Sequence, residues 1–135
     1  MEKSAEKIVT QAIELYGCGR YFDAHEILEG LWKRESVYRK TYLHALIQIC
    51  ISLVKVFEKP NARGALEQSQ RAAQKLQSLL QSAELTEEGR AIVVKLHAEV
   101  EKLHNDLLAG KSADGIMKPE LTAAWEDIFT QYDKT

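Results

Sequence analysis

Proline, cysteine and glycine are scarce in this sequence, whose 135 residues contain two, two and seven of them. Proline inside a helix removes a hydrogen bond and clashes with the preceding turn, so its scarcity leaves long segments free to be helical. No segment of useful length alternates apolar and polar residues as a half-buried strand does. We therefore expect one all-α domain over residues 1–135, large enough to bury a core without disulfides or a metal.

Several functional signals are also missing. The sequence has no glycine-rich phosphate loop, no GxSxG nucleophile motif and no dinucleotide-binding fingerprint, so it predicts no cofactor. Cys18 and Cys50 have no CxxC spacing and no adjacent activating residue, and we expect both to be apolar packing residues. With 18 basic and 20 acidic residues the net charge is −2, which does not favour nucleic-acid binding.

Signals for export or membrane insertion are weak. The first eight residues are rich in charge and lack the apolar core of a signal peptide. The most apolar stretch, residues 42–57, is interrupted by His44, Gln48, Ser52 and Lys55. We expect it to be too short and too polar to span a membrane. The sequence therefore predicts a cytoplasmic protein with no membrane partner.

Apolar residues recur at helical spacing in six segments. The predicted helices cover about residues 4–16, 20–34, 37–57, 61–81 and 86–107, with a short last helix after Pro119 that completes a C-terminal part over about 86–131. The third helix is apolar almost all round and belongs at the centre of the fold. Ala24 and Ala65, 41 residues apart, stand near the starts of similar helical segments. We expect a compact helical bundle or a short tetratricopeptide-like array of helical hairpins, with five to six helices.

The first candidate site is the segment HEILE, which contains His25, Glu26 and Glu29. Residues four apart share a helix face, so His25 and Glu29 could bind one ion or exchange a proton. The segment is similar to the HExxH motif of zinc peptidases, but a glutamate replaces the second histidine and no third ligand is evident. Three interpretations stay open: a half-buried histidine bonded to Glu29, a ligand-binding pair, and a metal site.

A polar stripe on the apolar third helix is the second candidate site. Its members fall within one narrow sector of the helix, and they are Thr41, His44, Gln48, Ser52 and Lys55. The stripe is either the only solvent-facing edge of this helix or the lining of a polar cavity against helix two.

The third candidate lies on helix five. His97, Glu101 and His104 flank its apolar stripe, and Glu101-x-x-His104 matches half of a di-iron carboxylate motif. No second Glu-x-x-His occurs in the chain. We expect these three side chains to form a solvated flank.

The segment FDAHEILEGLW resembles the motif F-(D/E)-A-H-E-x-L-E-x-x-W of domain-of-unknown-function family 309. The matching residues are Phe22, Ala24, His25, Glu26, Leu28, Glu29 and Trp32, then Leu46, Ile47 and Gln48, and then Asn61, Gly64 and Ala65. The chain departs from the family pattern at His44, Ala45 and Pro60. The resemblance covers about residues 16–80. It implies a compact helical fold and no particular activity.

We expect a non-enzymatic binding or interaction module whose site lies between helices two and three. The predicted site residues are His25, Glu29, Trp32 and Gln48, the partner is an unknown small molecule or protein, and no metal is expected. The alternative is a metal-dependent hydrolase with His25 and Glu29 as ligands and Glu26 as the base. The binding hypothesis places His25 within about 10 Å of Gln48, roughly twice the spacing of neighbouring side chains on a helix.

The two tryptophans lead to predictions about packing. Trp32 ends the apolar arc of helix two and should be substantially buried. Trp125 belongs to an apolar face of the last helix, together with Leu121, Ile128 and Phe129. This face packs either on its own bundle or on a second copy of the chain, so a homodimer is one of two expected outcomes.

Overall fold

The computed structural model describes the backbone of residues 2–33 and 37–133 and the side chains of residues 7–33 and 39–128. This part of the chain contains no strand and six α-helices. They are α1 (Glu2–Gly17), α2 (Tyr21–Trp32), α3 (Val37–Leu53), α4 (Ala62–Leu79), α5 (Glu87–Leu108) and α6 (Thr122–Asp133). The predicted all-α class is confirmed.

The helices form a closed bundle. From α1 to α5 each helix packs on the next one along the chain, and α6 returns to pack on both α1 and α5. A tetratricopeptide-like array would stack each unit only on its neighbours. Contact between the last helix and the first therefore makes the fold a compact helical bundle, the first of the two predicted forms.

Helix α3 lies at the centre of the core, as its composition predicts. Leu43, Leu46, Ile49 and Leu53 are fully buried, and α3 packs on both α2 and α4. Within the described residues one helical stretch, Arg39–Glu58, is long and apolar enough to cross a membrane by length and composition. It is longer than residues 42–57, the segment predicted to be too short and too polar to span a membrane. Most of it is buried by its own bundle, as expected of a core helix.

The third helix ends in a π-helical turn, Val54–Glu58. The prediction extended a regular helix to Phe57, but the wider turn accommodates these residues before the chain reverses towards α4. The N–H of Lys59 donates to the Val54 carbonyl at 2.8 Å, and the N–H of Asn61 donates to the Lys55 carbonyl at 2.8 Å. These bonds link the end of α3 to the start of α4.

Two side-chain caps define where α4 and α5 begin. The Asn61 side chain accepts from the Gly64 N–H at 3.0 Å, so α4 begins at Ala62, one residue after the predicted start. Thr86 accepts from the Gly89 N–H at 2.9 Å and caps α5. A Cβ on Gly64 would lie 2.6 Å from Cδ of Lys55, which belongs to a flexible side chain. Asn61 therefore has a structural role as the cap of α4.

The apolar face of α6 is buried within its own chain. Leu121, Trp125 and Ile128 are each at most 1% exposed and belong to the core. The Phe129 side chain lies outside the described residues. Because this face already packs on α1 and α5, it gives no support to the predicted homodimer.

Tyr16 connects α1 to the segment that precedes α6. Its ring packs edge-on against Trp125, with centroids 5.3 Å apart, and its hydroxyl donates to the Pro119 carbonyl at 2.6 Å. The Lys118 ammonium donates to the carbonyls of Tyr16 and Gly17, each at 3.4 Å, at the end of α1. These contacts hold the C-terminal helix on the N-terminal one.

The cysteines have different environments. Both are free thiols; Cys50 is buried in α3, and burial raises the pKa of its thiol far above the usual range, which keeps it protonated. Cys18 is exposed, so its predicted role as a packing residue is wrong. It lies in the turn after α1, where Gly19 adopts a φ of 83° that glycine tolerates.

Candidate functional site

His25 lies at the edge of α2, where its ring orientation is fixed by the backbone. Its Nδ1 lies 2.6 Å from the Phe22 carbonyl oxygen. A carbonyl only accepts hydrogen bonds, so Nδ1 carries the proton in this contact. In the neutral ring Nε2 is then an acceptor, and it lies 3.4 Å from a carboxylate oxygen of Glu29. His25 and Glu29 are thus brought together as predicted for residues four apart.

A shallow cleft of about 420 Å³ lies over this face of α2. It is lined by Phe22, His25, Glu26, Glu29, Gly30 and Lys33. The Phe22 ring is 42% exposed and packs on His25 with centroids 4.9 Å apart. The cleft therefore combines an aromatic wall, carboxylates and an imidazole, all supplied by one helix.

Trp32 joins α2 to α3 through a ring contact with His44. The two ring centroids are 5.3 Å apart, and the Lys40 ammonium lies 5.4 Å from the centre of the tryptophan ring. Trp32 is partly buried and packs against the core, which agrees with the predicted burial without being complete. It contacts polar neighbours at the rim of the core, where an indole combines apolar contact area with a cation–π interaction.

His44 lies where α2, α3 and α4 meet. Burial lowers its pKa, the positive charge of Lys75 on α4 lowers it further, and the negative charge of Glu29 on α2 opposes both effects. The imidazole therefore lies within electrostatic range of a carboxylate on one side and an ammonium on the other. His44 belongs to the predicted polar stripe but not to the four predicted site residues.

Lys75 was not a predicted site residue, and it is half-buried on α4. Burial lowers its pKa, and the positive charge of Arg71, one turn earlier, lowers it further. Within the described part of the chain no ion pair joins Lys75 or Arg71 to a carboxylate. A single lysine on a polar helix face carries no recognisable sequence signal, so only the packing of α4 on α3 identifies it.

The middle of the polar stripe of α3 is buried, so it is not the solvent-facing edge of the helix. Ser52 is fully buried, and its hydroxyl donates to the Ala65 carbonyl of α4 at 2.8 Å. Gln48 is 4% exposed, and its Oε1 has no hydrogen-bond partner among the described residues. Thr41 and Lys55 are half-buried. Part of the stripe therefore packs on α4, and not only on helix two as the cavity alternative proposed.

The third candidate site is a groove of about 460 Å³ between α4 and α5. It is lined by Gln70, Ala73, Gln74, Gln77, His97, Glu101 and His104. His104 is half-buried, with its Nδ1 3.1 Å from the hydroxyl of the buried Ser69. The predicted solvated flank is wrong for His104, which instead joins the two helices.

The four predicted site residues are only partly connected by direct contacts. His25 pairs with Glu29, Trp32 contacts His44, and Gln48 is buried one turn after His44 on α3. That His25 lies within about 10 Å of Gln48 stays a prediction. We call the following set the polar seam: His25, Glu29, Trp32, Lys40, His44, Gln48 and Lys75.

The described side chains contain no group of three or more histidine, cysteine, aspartate or glutamate residues placed to hold a metal ion. His25 and Glu29 are two of the three residues in the hydrolase hypothesis, and Glu26 lines the same cleft.

Comparisons with known proteins bear on the fold and on the motif. The model of the family described as Domain of unknown function (DUF309) matches residues 9–68, which begin and end earlier than the expected range 16–80. The comparisons with curated proteins and with solved structures found no match. The matched residues include α2, α3 and the start of α4, and therefore most of the polar seam. Over residues 9–68 the chain matches DUF309, the family that its motif predicts.

Proposed function

We propose that this protein is a non-enzymatic binding module that recognises a small polar molecule at the polar seam. Gln48 is the observation that carries the proposal. A carboxamide oxygen that is buried without a hydrogen bond costs about 1–3 kcal/mol, because it has lost water and gained no partner. A ligand that donates a hydrogen bond to Oε1 would recover this energy on binding.

The surroundings of Gln48 support binding at this place. His44 lies one turn earlier on α3 and contacts Trp32, so an aromatic surface adjoins the buried amide. Glu29 and Lys75 act on His44 from two other helices and provide both signs of charge. A few polar groups beside apolar and aromatic surface are typical of small-molecule sites.

The proposal is tested by nuclear magnetic resonance of the free protein with a panel of small molecules. The panel contains carboxylates, phosphates, amines and neutral sugars, each at about 1 mM, which detects binding of millimolar affinity or tighter. We expect at least one class to shift the side-chain amide signals of Gln48 and the indole N–H signal of Trp32 together. No other described tryptophan shares this surface, since Trp125 is buried in the core.

A matched pair of variants controls this experiment. Gln48→Met keeps a side chain of similar length and removes the acceptor, and we expect it to abolish the Trp32 shift. Gln74→Met makes the same change at an exposed position on α4 and should leave the shift unchanged. A panel that shifts neither Gln48 nor Trp32 contradicts the proposal, as does a shift that survives in Gln48→Met.

The alternative of a metal-dependent hydrolase receives support only from the proximity of His25 and Glu29. Zinc hydrolases use three protein ligands and keep one open position. Addition of Zn²⁺ to the protein, followed by calorimetry, tests this alternative. We expect no binding tighter than that of a His25→Ala variant, and a clear difference between the two proteins would favour the hydrolase.

We further propose that the protein acts in the cytoplasm. Its two cysteines are both free, so the described fold does not depend on an oxidising compartment. Cell fractionation followed by immunodetection is the test, and recovery in the membrane fraction would contradict the proposal.

A further inference from the structure

We infer that the polar seam binds a small anion, a carboxylate or phosphate group, held between Lys75 and His44 beside the ring of Trp32. This inference rests on the proposed binding function and names the class of ligand. It follows from the positive charges of Lys40, Arg71 and Lys75 towards one end of α3 and α4, from the lack of a carboxylate partner for Lys75 among the described residues, and from the packing of these two helices.

The packing of α4 on α3 places Lys75 near His44. The bond from Ser52 to the Ala65 carbonyl sets the register of these two helices. His44 lies about two turns before Ser52 on α3, and Lys75 lies nearly three turns after Ala65 on α4. Because α3 and α4 are joined by a short connection and run in opposite directions, both residues lie towards the same end of the helix pair.

The charges at this end are unbalanced. Lys75 is half-buried, and Arg71 is its neighbour on α4. The ammonium of Lys40, on α3, lies 5.4 Å from the centre of the Trp32 ring. The described carboxylate that acts on His44 is Glu29, which also lies 3.4 Å from His25. Lys75 is partly removed from water and is repelled by the positive charge of Arg71, and an anion close to Lys75 relieves both the repulsion and the lost hydration.

The pKa values of the two titrating groups agree with this geometry. Burial and Arg71 lower the pKa of Lys75, and burial and Lys75 lower the pKa of His44. An anion close to both groups acts in the opposite direction, because it stabilises their charged forms. Binding of an anion is therefore expected to raise the pKa of His44.

Gln48 and Trp32 determine which anions the proposed site would favour. The Trp32 ring lies 5.3 Å from the His44 ring and gives the body of a ligand a flat apolar surface. The unpaired Oε1 of Gln48 accepts a hydrogen bond and so favours an anion that also carries a hydroxyl, an amine or a protonated phosphate oxygen. A small hydroxy acid, amino acid or phosphomonoester has this combination.

The test measures the pKa of His44 by nuclear magnetic resonance of its ring protons. The probes are inorganic phosphate and succinate, with sodium chloride at equal ionic strength as the reference. We expect phosphate, succinate or both to raise the pKa of His44 relative to chloride. A response to phosphate alone assigns the site to phosphoryl groups, and a response to succinate alone assigns it to carboxylates.

Variants of Lys75 separate a specific site from general attraction of anions. Lys75→Gln should weaken binding of the active probe by roughly tenfold, the effect of losing one charge-assisted contact. Lys75→Arg should retain most of the affinity. Lys7→Gln removes one positive charge from an exposed position on α1 and should leave binding unchanged.

Two results would overturn the inference. One is a pKa of His44 that is the same in phosphate, succinate and chloride. The other is equal weakening by Lys75→Gln and Lys7→Gln. If amines or neutral sugars shift Gln48 and Trp32 while anions do not, the binding function stands and the anion inference fails. If no probe of any class shifts them, both proposals fail.

Discussion

The polar seam and the C-terminal end of α5 each contain a buried polar residue, and the two are satisfied very differently. Asp106 is 8% exposed, and its two carboxylate oxygens pair with Lys102 at 3.1 Å and Lys111 at 3.0 Å. Gln48 is 4% exposed, and its Oε1 has no partner within the described chain. Buried polar groups in native proteins are normally bonded. The difference therefore separates a region whose buried polar group is paired within the fold from one whose buried polar group is not.

The two tryptophans show the same contrast. Trp125 is 1% exposed and packs against Tyr16 in the core, whereas Trp32 is half-buried between Lys40 and His44. A buried aromatic ring contributes its whole apolar surface to folding, while a ring at the rim keeps part of that surface for another molecule. Four predictions test this comparison.

Substitution of the tryptophans should have the largest effect. Trp125→Ala leaves a cavity in the core and should lower the free energy of unfolding by about 3–5 kcal/mol. Trp32→Ala, for which the sequence alone suggests an equally large loss, should cost less, about 2–3 kcal/mol, because part of its surface is already in water. Urea denaturation of both variants measures the difference. Equal losses would show that the seam is as important for stability as the core.

Tyr16→Phe should have the next largest effect. The hydroxyl of Tyr16 donates to the Pro119 carbonyl at 2.6 Å in a buried position, so its removal should destabilise the protein by about 1–2 kcal/mol. Urea denaturation gives the loss, and limited proteolysis should show faster cleavage of the segment before α6. A change within about 0.5 kcal/mol, the range of ordinary surface substitutions, would mean that this bond does not hold α6 in place.

Gln48→Met should stabilise the free protein by about 1 kcal/mol, because it removes a buried acceptor without a partner. Gain of stability with loss of binding is expected where a residue serves function at the expense of the fold. Gln74→Met, at an exposed site, should change stability by less than about 0.5 kcal/mol. A clear loss of stability in Gln48→Met, measured by urea denaturation, would mean that the carboxamide is satisfied inside the folded protein.

Asp106→Asn should have the smallest effect, visible mainly in the pH dependence of stability. Hydrogen bonds from Lys111 and then Lys102 hold the pKa of Asp106 below its usual value. A carboxylate with a lowered pKa in the folded state stabilises the protein fully above its unfolded pKa of about 3.9, and the contribution is lost as the pH falls through the lowered value. The variant should therefore show a shallower loss of stability on acidification. Identical acid unfolding curves would contradict this assignment.

Much of the fold was predictable because helix formation depends on local patterns. The apolar spacing predicted six helical segments, and the predicted starts of α4 and α5 lie within one residue of the observed ones. The main error lies at the end of α3. There the helix widens into a π-helical turn, because turn geometry depends on how neighbouring helices meet.

The candidate site was predictable only in part. The pairing of His25 with Glu29 follows from their spacing on one helix and was recognised. The ring contact of Trp32 with His44 and the electrostatic effect of Lys75 on His44 each join different helices, and neither has a local signal in the sequence. The pattern of the polar stripe was correct, but its burial by α4 was not foreseen.

The sequence by itself determined the helical class, the central position of α3 and the residues of the family motif. Those features depend on composition and on spacing within a single helix, which are local properties. Only the tertiary structure decided that α6 packs on α1, that Oε1 of Gln48 lacks a partner among the described residues, and that Lys75 comes close enough to lower the pKa of His44. Such features depend on the register and orientation of packed helices, which result from the joint burial of side chains distant in sequence.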